Sequence, residues 1–153
     1  MPRISQQARR NYDRGVEELR PAEIQVPEQL RSKHRKGPHN IHQCYKKAWE
    51  YAVDHEVEGI RVVHGTYGGG LNIDHAWVEL PEGVLFDGVT QRFYQREGYY
   101  SISKAIKEVE YDVITLCRLL GDEGHFGPFH ETFSQAKARE FPTRTPPDLI
   151  GTR

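Results

Sequence analysis

The sequence has few cysteines and no long apolar segment. Only two of its 153 residues are cysteines, whereas small secreted domains usually carry a denser disulfide framework, so reduced thiols are expected. No run of about eighteen apolar residues is present, and the polar start Met1–Ser5 contains no signal-peptide hydrophobic region. We therefore predict a cytoplasmic protein that has no membrane partner.

The net charge is also small, at −1, and gives no reason to expect a nucleic acid or a membrane surface as partner. Its distribution is uneven, because residues 1–40 hold nine Lys and Arg against five Asp and Glu, and residues 41–100 hold five against nine. A basic arm can bind RNA or an acidic partner, but a solvated helix packed against the acidic middle explains the pattern more simply. Nucleic acid is therefore not predicted as a partner, and oligomeric state stays open.

Length and composition favour one domain. With 37% hydrophobic and 10% aromatic residues, the chain suffices for one core and is too short for two good ones. We predict a basic helical N-terminal extension over residues 1–39, a domain over residues 40–140 on which it packs, and an irregular tail over residues 141–153. Polar helices are expected at Ser5–Arg20 and Glu131–Glu140.

A cysteine lies near the start of the clearest helix. Apolar residues recur at helical spacing from Ile41 to about Asp54, and Asn40 is a suitable N-cap. Cys44 would then lie in the first turn, where the partial positive charge of the helix end favours a thiolate. A buried structural cysteine is the alternative reading, because free cysteine is among the most often buried residue types.

Three strands follow this helix. Their alternating, β-branched composition predicts strands at Ile60–His64, Ile73–Leu80 and Val84–Asp87. A tight turn at Pro81–Gly83 pairs the last two, which brings His75 and Asp87 onto neighbouring strands within reach of each other. The glycine-rich loop Gly65–Leu71 is expected to be a mobile flap over Cys44, with an ordinary flexible hairpin loop as the alternative.

The remaining segments are predicted to supply packing. An aromatic loop is expected at Gln91–Tyr100 and a short helix at Ser101–Lys107. Asp112 should open a further helix in which Cys117 is buried in the core. The loop Gly124–Phe129 has an unusual composition and receives no function.

Cys44, His75 and Asp87 supply, in this order, the thiol, imidazole and carboxylate of an activated nucleophile. Their surroundings, including the run His75-Ala76-Trp77 and the turn Asp87-Gly88-Val89-Thr90, resemble the transglutaminase-like branch of the papain-like cysteine protease superfamily. The resemblance covers about residues 40–94. It implies an α+β, papain-like (transglutaminase-like) fold: a Cys-bearing helix on a small antiparallel sheet of three to five strands, with extra helices at both ends.

The resemblance also implies roles and a reaction. Cys44 would be the nucleophile, His75 the general base and then acid, and Asp87 the group that orients His75. The backbone N–H of Cys44 is the default oxyanion donor, and the further oxyanion or substrate candidates are Asn40, Gln43 and Trp77. The implied activity is hydrolysis or acyl transfer on an amide or ester of a peptide or protein, with a peptidase or amidase favoured, and no cofactor.

Other classes of function stay open. The run Val63-His64-Gly65-Thr66 resembles the His-Gly-Thr strand of ADP-ribosyltransferases, although neither Tyr99 nor Glu108 is convincing as the further Tyr and Glu which that fold needs. A catalytically silent binding module on the thiol-enzyme scaffold is the other alternative. No metal site is predicted, because no common zinc pattern matches the spacing of His55, His64 and His75.

Overall fold

A computed structural model describes residues 21–129, which form an α+β fold with one antiparallel sheet. Its strands are β1 (Glu23–Ile24), β2 (Arg61–Tyr67), β3 (Ile73–Leu80), β4 (Val84–Asp87), β5 (Arg92–Gln95) and β6 (Ile106–Tyr111), and its helices are α1 (Cys44–Asp54), α2 (Arg96–Ser103) and α3 (Val113–Glu123). The order across the sheet is β1-β5-β4-β3-β2-β6. The α+β class is confirmed, and the six strands exceed the predicted three to five.

Both faces of the sheet are buried. On one face, Ala76, Val78 and Leu80 of β3 pack with residues of α1 and α3. On the other face, a second cluster contains Val63, Trp77, Leu85, Tyr94 and Tyr99. His75 therefore lies on a strand that is covered from both sides, within a low-dielectric environment.

The central hairpin matches its prediction, whereas the loop before it does not. A short 3-10 turn at Pro81–Gly83 joins β3 to β4, and the register pairs Val78 with Phe86. The strand predicted to end at His64 is β2, which continues to Tyr67. Gly65 therefore belongs to this strand and not to a flap. A side chain at Gly65 could not fit, because its Cβ would lie 2.0 Å from the carbonyl oxygen of Ile106. The connection is reduced to residues 68–72.

The predicted aromatic loop and the helix after it are wrong. The aromatic segment divides into strand β5 and helix α2, and the predicted helix Ser101–Lys107 is instead the end of α2 followed by the start of β6. Ser103 lies in the last turn of α2, where its hydroxyl donates to the carbonyl oxygen of Tyr99. Lys104, with φ 56°, ends the helix in the left-handed region.

The cap of α3 is confirmed, but its buried face differs from the prediction. The Asp112 carboxylate accepts from the backbone N–H of Thr115 at 2.7 Å. Leu116 and Leu119 are buried on this helix, whereas Cys117 is exposed. The prediction of a buried Cys117 is wrong, because that position turns away from the stripe that Leu116 and Leu119 direct at the sheet.

The described part of the N-terminal extension is joined to the domain. Strand β1 pairs with β5, with Ile24 opposite Phe93. The Tyr51 hydroxyl of α1 donates to the carbonyl oxygen of Leu30 at 2.6 Å. The predicted helices Ser5–Arg20 and Glu131–Glu140 and the tail 141–153 lie outside the described residues. Among the helices of residues 21–129, none has the length and apolar character needed to cross a membrane.

Candidate active site

Cys44 is the first residue of α1. The helix begins one turn later than predicted, with Gln43 at the N-cap position and no side chain capping it. The backbone N–H of Lys47 donates to the Gln43 carbonyl at 2.8 Å, so the N–H groups of the preceding turn, including that of Cys44, have no acceptor inside the helix. These free donors and the helix dipole favour negative charge at Cys44. Cys44 is buried, with 8% of its surface exposed.

Asn40 does not cap the helix, because it lies in the separate 3-10 turn Pro38–Asn40. Its Nδ2 donates to the carbonyl of Arg35 at 2.8 Å, and its side chain is buried. No partner for its Oδ1 is present within residues 21–129. Asn40 therefore fixes the loop that leads into α1. With one N–H already used inside that loop, it is a weaker oxyanion donor than Gln43, which is exposed beside the thiol.

His75 and Asp87 meet across β3 and β4. The Nε2 atom of His75 lies 2.8 Å from Oδ2 of Asp87, which confirms the predicted contact. Since Val78 pairs with Phe86, Asp87 lies level with Trp77, and His75 reaches it along the diagonal of the sheet. Because Nε2 faces the carboxylate, Nδ1 is the ring nitrogen left for the thiol.

The carboxylate of Asp87 is held by four donors. Its Oδ2 accepts from His75 and, at 2.7 Å, from the hydroxyl of Tyr99. Its Oδ1 accepts from the backbone N–H groups of Val89 at 2.9 Å and Thr90 at 3.4 Å. Burial alone would raise the pKa of Asp87, but the charge of His75 and these hydrogen bonds lower it below the ordinary value. Asp87 therefore stays ionised inside the protein.

The pKa of His75 is raised in the same network. Burial by itself lowers this pKa, but the charge and hydrogen bond of Asp87, together with a hydrogen bond to the Cys44 side chain and the charge of that group, raise it to about 10. The imidazole is therefore protonated near neutral pH. The ring of Tyr67 covers it at a centroid distance of 4.6 Å.

Trp77 has a structural contact and is completely buried. Its indole N–H donates to the hydroxyl of Tyr100 at 2.9 Å. The only N–H of the indole is thus engaged in the core, and the ring is not at the surface where a substrate binds. Trp77 supports the strand beneath His75, and the structure gives it no contact typical of an oxyanion or substrate residue.

Gly88 lets the Asp87 turn approach the cysteine helix. A Cβ atom at this position would lie 2.5 Å from Cβ of Lys47 and 3.0 Å from its backbone carbonyl carbon. A residue without a side chain allows the turn that holds Asp87 to pack directly on α1.

Tyr99 is the member of this network that the sequence did not reveal. It lies on α2, twelve residues from Asp87, in a segment predicted to be an irregular loop. His64 and Glu108, the other two residues considered for an ADP-ribosyltransferase, lie away from this network. They line a cavity together with Tyr45. Tyr99 thus belongs to the Asp87 network and does not line that cavity.

The site combines an imidazole held by a buried carboxylate with a thiol at the start of α1, the helix that packs against β3. Within residues 21–129, no group of three His, Cys, Asp or Glu side chains could hold a metal ion. No family model matches the chain, and no match was found among curated proteins or solved structures. What the site can do follows from its chemistry: a polarised thiol beside an imidazolium can attack an electrophilic carbonyl and protonate the group that leaves.

Proposed function

We propose that this protein is a thiol-dependent hydrolase or acyltransferase of papain-like (transglutaminase-like) fold, acting on an amide or ester bond of a peptide or protein. Hydrolysis, as in a peptidase or amidase, is favoured over transfer because water is always available to resolve an acyl-enzyme. The observation that carries the proposal is the buried pair of His75 and Asp87, whose side chains meet at 2.8 Å, with Cys44 among the groups that raise the pKa of His75.

The reaction begins with attack of the Cys44 thiolate on the carbonyl carbon. A thioester bond forms, the bond from that carbon to nitrogen or oxygen breaks, and the His75 imidazolium gives its proton to the departing amine or alcohol. Water then enters, His75 removes one of its protons, and the resulting hydroxide attacks the thioester. The bond from the carbonyl carbon to sulfur breaks, the carboxylic acid is released, and Cys44 leaves as a thiolate beside the protonated His75, which restores the starting ion pair.

The electrostatics of the site support a thiolate and imidazolium pair. Asp87 is kept ionised by its donors, and its negative charge stabilises the positive charge on His75. The same hydrogen bond fixes the imidazole ring through Nε2, so the orientation of Nδ1 is fixed as well. A buried His without such a partner would instead lose its proton.

The start of α1 is suited to stabilise the oxyanion. The backbone N–H of Cys44 has no acceptor within its helix and lies next to the carbon that would be attacked. The exposed side-chain amide of Gln43 is the nearest further donor along the chain. Replacing Gln43 with Ala should therefore slow acylation, whereas replacement with Glu should slow it more, because a carboxylate repels the developing charge.

Acylation by p-nitrophenyl acetate, followed by intact-protein mass spectrometry, tests the proposal. The full chain is compared with Cys44→Ala, His75→Gln and, as matched control, Cys117→Ala. We expect an added acetyl group and a burst of p-nitrophenolate in wild type and Cys117→Ala. Cys44→Ala should give neither, and His75→Gln should be slowed by at least about 100-fold, as for loss of a general acid–base group.

Two results would contradict the proposed function. Equal acylation of wild type and His75→Gln, or an adduct on Cys117 alone, would mean that Cys44 is not activated. The scaffold would then be a catalytically silent binding module. A panel of peptide amides, glutamine amides and esters, run with the same variants, identifies the acyl group that Cys44 accepts.

A further inference from the structure

A second site lies next to the proposed catalytic residues. A cavity of about 70 Å³ is lined mainly by Tyr45, His64, Asp74, Glu108, Val109 and Phe129. Tyr45 follows Cys44 on α1, and Asp74 precedes His75 on β3. The cavity is therefore attached to both catalytic residues through their immediate chain neighbours, although no step of the proposed reaction uses it.

His64 is buried in this cavity without a polar partner. Its side chain is 3% exposed, and neither ring nitrogen finds a hydrogen-bond partner within residues 21–129. Aromatic rings surround it, with the centroid of Tyr45 at 4.8 Å and that of Tyr111 at 5.1 Å. Burial lowers the pKa of His64 to about 3, so the ring is neutral and offers one nitrogen as an acceptor. A buried group of this kind favours a polar occupant of the cavity.

The glycine loop before Phe129 is shaped around the same imidazole. A Cβ atom on Gly127 would lie 2.6 Å from Cε1 of His64 and 3.2 Å from Cδ1 of Tyr45. Gly127 has a φ of 127°, a value that other residues rarely adopt. The end of the segment Gly124–Phe129, for which the sequence indicated no role, thus contributes Pro128 and Phe129 to the lining of the cavity.

The other polar side chains of the cavity are the hydroxyl of Tyr45 and two carboxylates. The exposed carboxylates of Asp74 and Glu108 belong to the lining, which includes no Lys or Arg. Glu108 is the extra residue of a β-bulge, because the register pairs His64 with Val109 and then Gly65 with Lys107. Burial raises the pKa of the Tyr45 hydroxyl, and the charges of Cys44, Asp74 and Glu108 raise it further.

We propose that this cavity is a specificity subsite that binds an ammonium group of the peptide substrate, from a lysine side chain or an amino terminus. The inference rests on the proposed function. An ammonium group donates three hydrogen bonds, which match the carboxylates and the acceptor nitrogen of His64. The volume suits this group and the carbon that carries it, since a single water needs roughly 10 to 15 Å³.

The charges of the site favour recognition of this amine over its use as a nucleophile. An amine attacks only when it has lost its proton. Nearby carboxylates favour the protonated form, as an opposite charge does for any titrating group. An ammonium held by Asp74 and Glu108 is therefore a positioning group on the substrate that is cleaved, not the acceptor of acyl transfer.

Chloromethyl ketones test the subsite without knowledge of the natural substrate. The thiolate of Cys44 forms a bond to the methylene carbon and chloride leaves, so the rate of adduct formation measures recognition. The full chain is treated with Nα-acetyl-lysyl, Nα-acetyl-norleucyl and free-amino norleucyl chloromethyl ketones. The first two differ in the side-chain ammonium and the last two in the terminal one, so the comparison separates the two sources of positive charge.

We expect at least one cationic reagent to label Cys44 roughly 10-fold faster than the Nα-acetyl-norleucyl reagent, the effect of one charge-assisted hydrogen bond. This ratio should fall towards 1 in Asp74→Asn, Glu108→Gln and His64→Leu. Glu56→Gln, which removes a charge from an exposed site outside the cavity, should preserve it. Asp74 and Glu108 are exposed, so their variants remain informative if His64→Leu does not fold.

The experiment distinguishes failure of the subsite from failure of the proposed function. Equal labelling by all three reagents, or a preference that Asp74→Asn and Glu108→Gln leave intact, would overturn the subsite while His75-dependent labelling of Cys44 upheld the enzyme. Faster resolution of an acetyl-enzyme by added lysine would also overturn it, because the cavity would then serve the acceptor. Labelling that does not require His75 would contradict the proposed function, and the subsite would fall with it.

Discussion

Tyr99 and His75 donate to the same oxygen of Asp87, at 2.7 and 2.8 Å. The two donors come from different elements, one from helix α2 and one from strand β3. Their shared acceptor connects the layer on one face of the sheet to the strand that carries the imidazole. The position of His75 is thus determined by α2 as well as by the hairpin, and the carboxylate has no freedom to turn away.

Replacing Tyr99 with Phe should weaken both the fold and the orientation of His75. A hydrogen bond to a charged group contributes about 1.5 to 3 kcal/mol, and we expect the free energy of unfolding in urea to fall by this amount. The pKa of Asp87 should rise, because one group that lowers it is lost. The acid limb of the pH profile for Cys44 labelling should consequently move to higher pH.

Tyr100→Phe is the matched control for this variant. The hydroxyl of Tyr100 accepts from Trp77 and does not contact Asp87. Tyr100→Phe should lower the free energy of unfolding without moving the pH profile for Cys44 labelling. If the two variants have identical profiles, Tyr99 is a packing residue only and has no part in positioning His75.

The two cysteines should react in the order opposite to their exposure. Cys117 is exposed and Cys44 is buried, so accessibility alone predicts that iodoacetamide reaches Cys117 first. Because the thiolate is the reactive species, the proposed site predicts faster labelling of Cys44 near neutral pH. Peptide mapping after brief treatment measures both rates, and unfolding in urea should equalise them. Faster reaction at Cys117 in the native protein would contradict activation of Cys44.

The sequence allowed prediction of those elements that follow a local pattern. Helix α1 follows from the spacing of apolar residues within eleven positions. The β3–β4 hairpin follows from the alternation within β3 and from the composition of the turn Pro81–Gly83. The contact between His75 and Asp87 follows from that hairpin. Periodicity and turn chemistry are sufficient when both partners belong to one supersecondary unit.

The parts that were missed depend on tertiary context. Strand β1 has two residues and pairs with β5, far away in the chain, so no local period indicates it. The aromatic residues of Arg92–Ser103 divide between a strand and a helix, which their composition alone cannot separate. Tyr99 meets Asp87 only because α2 packs behind the sheet. Long-range packing therefore determines the structure of these segments, which the propensities of their residues alone do not specify.

A methyl group at Gly65 should disrupt the centre of the sheet. Its Cβ would meet the Ile106 carbonyl oxygen at 2.0 Å and Cη2 of Trp77 at 3.1 Å, and backbone and a fully buried ring cannot easily move. We expect Gly65→Ala to lower the free energy of unfolding by about 3 kcal/mol or more, as overpacking of a dense interior does. Thermal unfolding followed by circular dichroism measures the loss.

Gly70→Ala provides the control in the neighbouring connection. Nothing lies within 4 Å of a Cβ at Gly70, and its φ is outside the left-handed region. Its melting temperature should stay within a few degrees of wild type. Equal losses for the two variants would mean that the close approach of β2 and β6 at Gly65 does not exist in solution.

The two buried histidines should make stability depend on pH in opposite directions. The folded pKa of His64, about 3, lies below its unfolded value of about 6.5, so its stabilising contribution is complete above pH 6.5 and is lost as pH falls. The folded pKa of His75, about 10, lies above the unfolded value, so its contribution is complete below pH 6.5 and is lost as pH rises towards 10.

Urea unfolding of wild type, His64→Phe and His75→Gln between pH 4 and pH 10 separates these effects. His64→Phe should flatten the decline of stability on the acid side, by at most about 1.4 kcal/mol per pH unit, and leave the alkaline side unchanged. His75→Gln should flatten the alkaline side and lower stability at neutral pH, because the ionised Asp87 loses its cation. Since each variant is compared with wild type at the same pH, the titration of groups that contact neither imidazole cancels. Parallel curves for all three proteins would show that neither imidazole has the environment described, and both the ion pair at Asp87 and the neutral His64 would have to be abandoned.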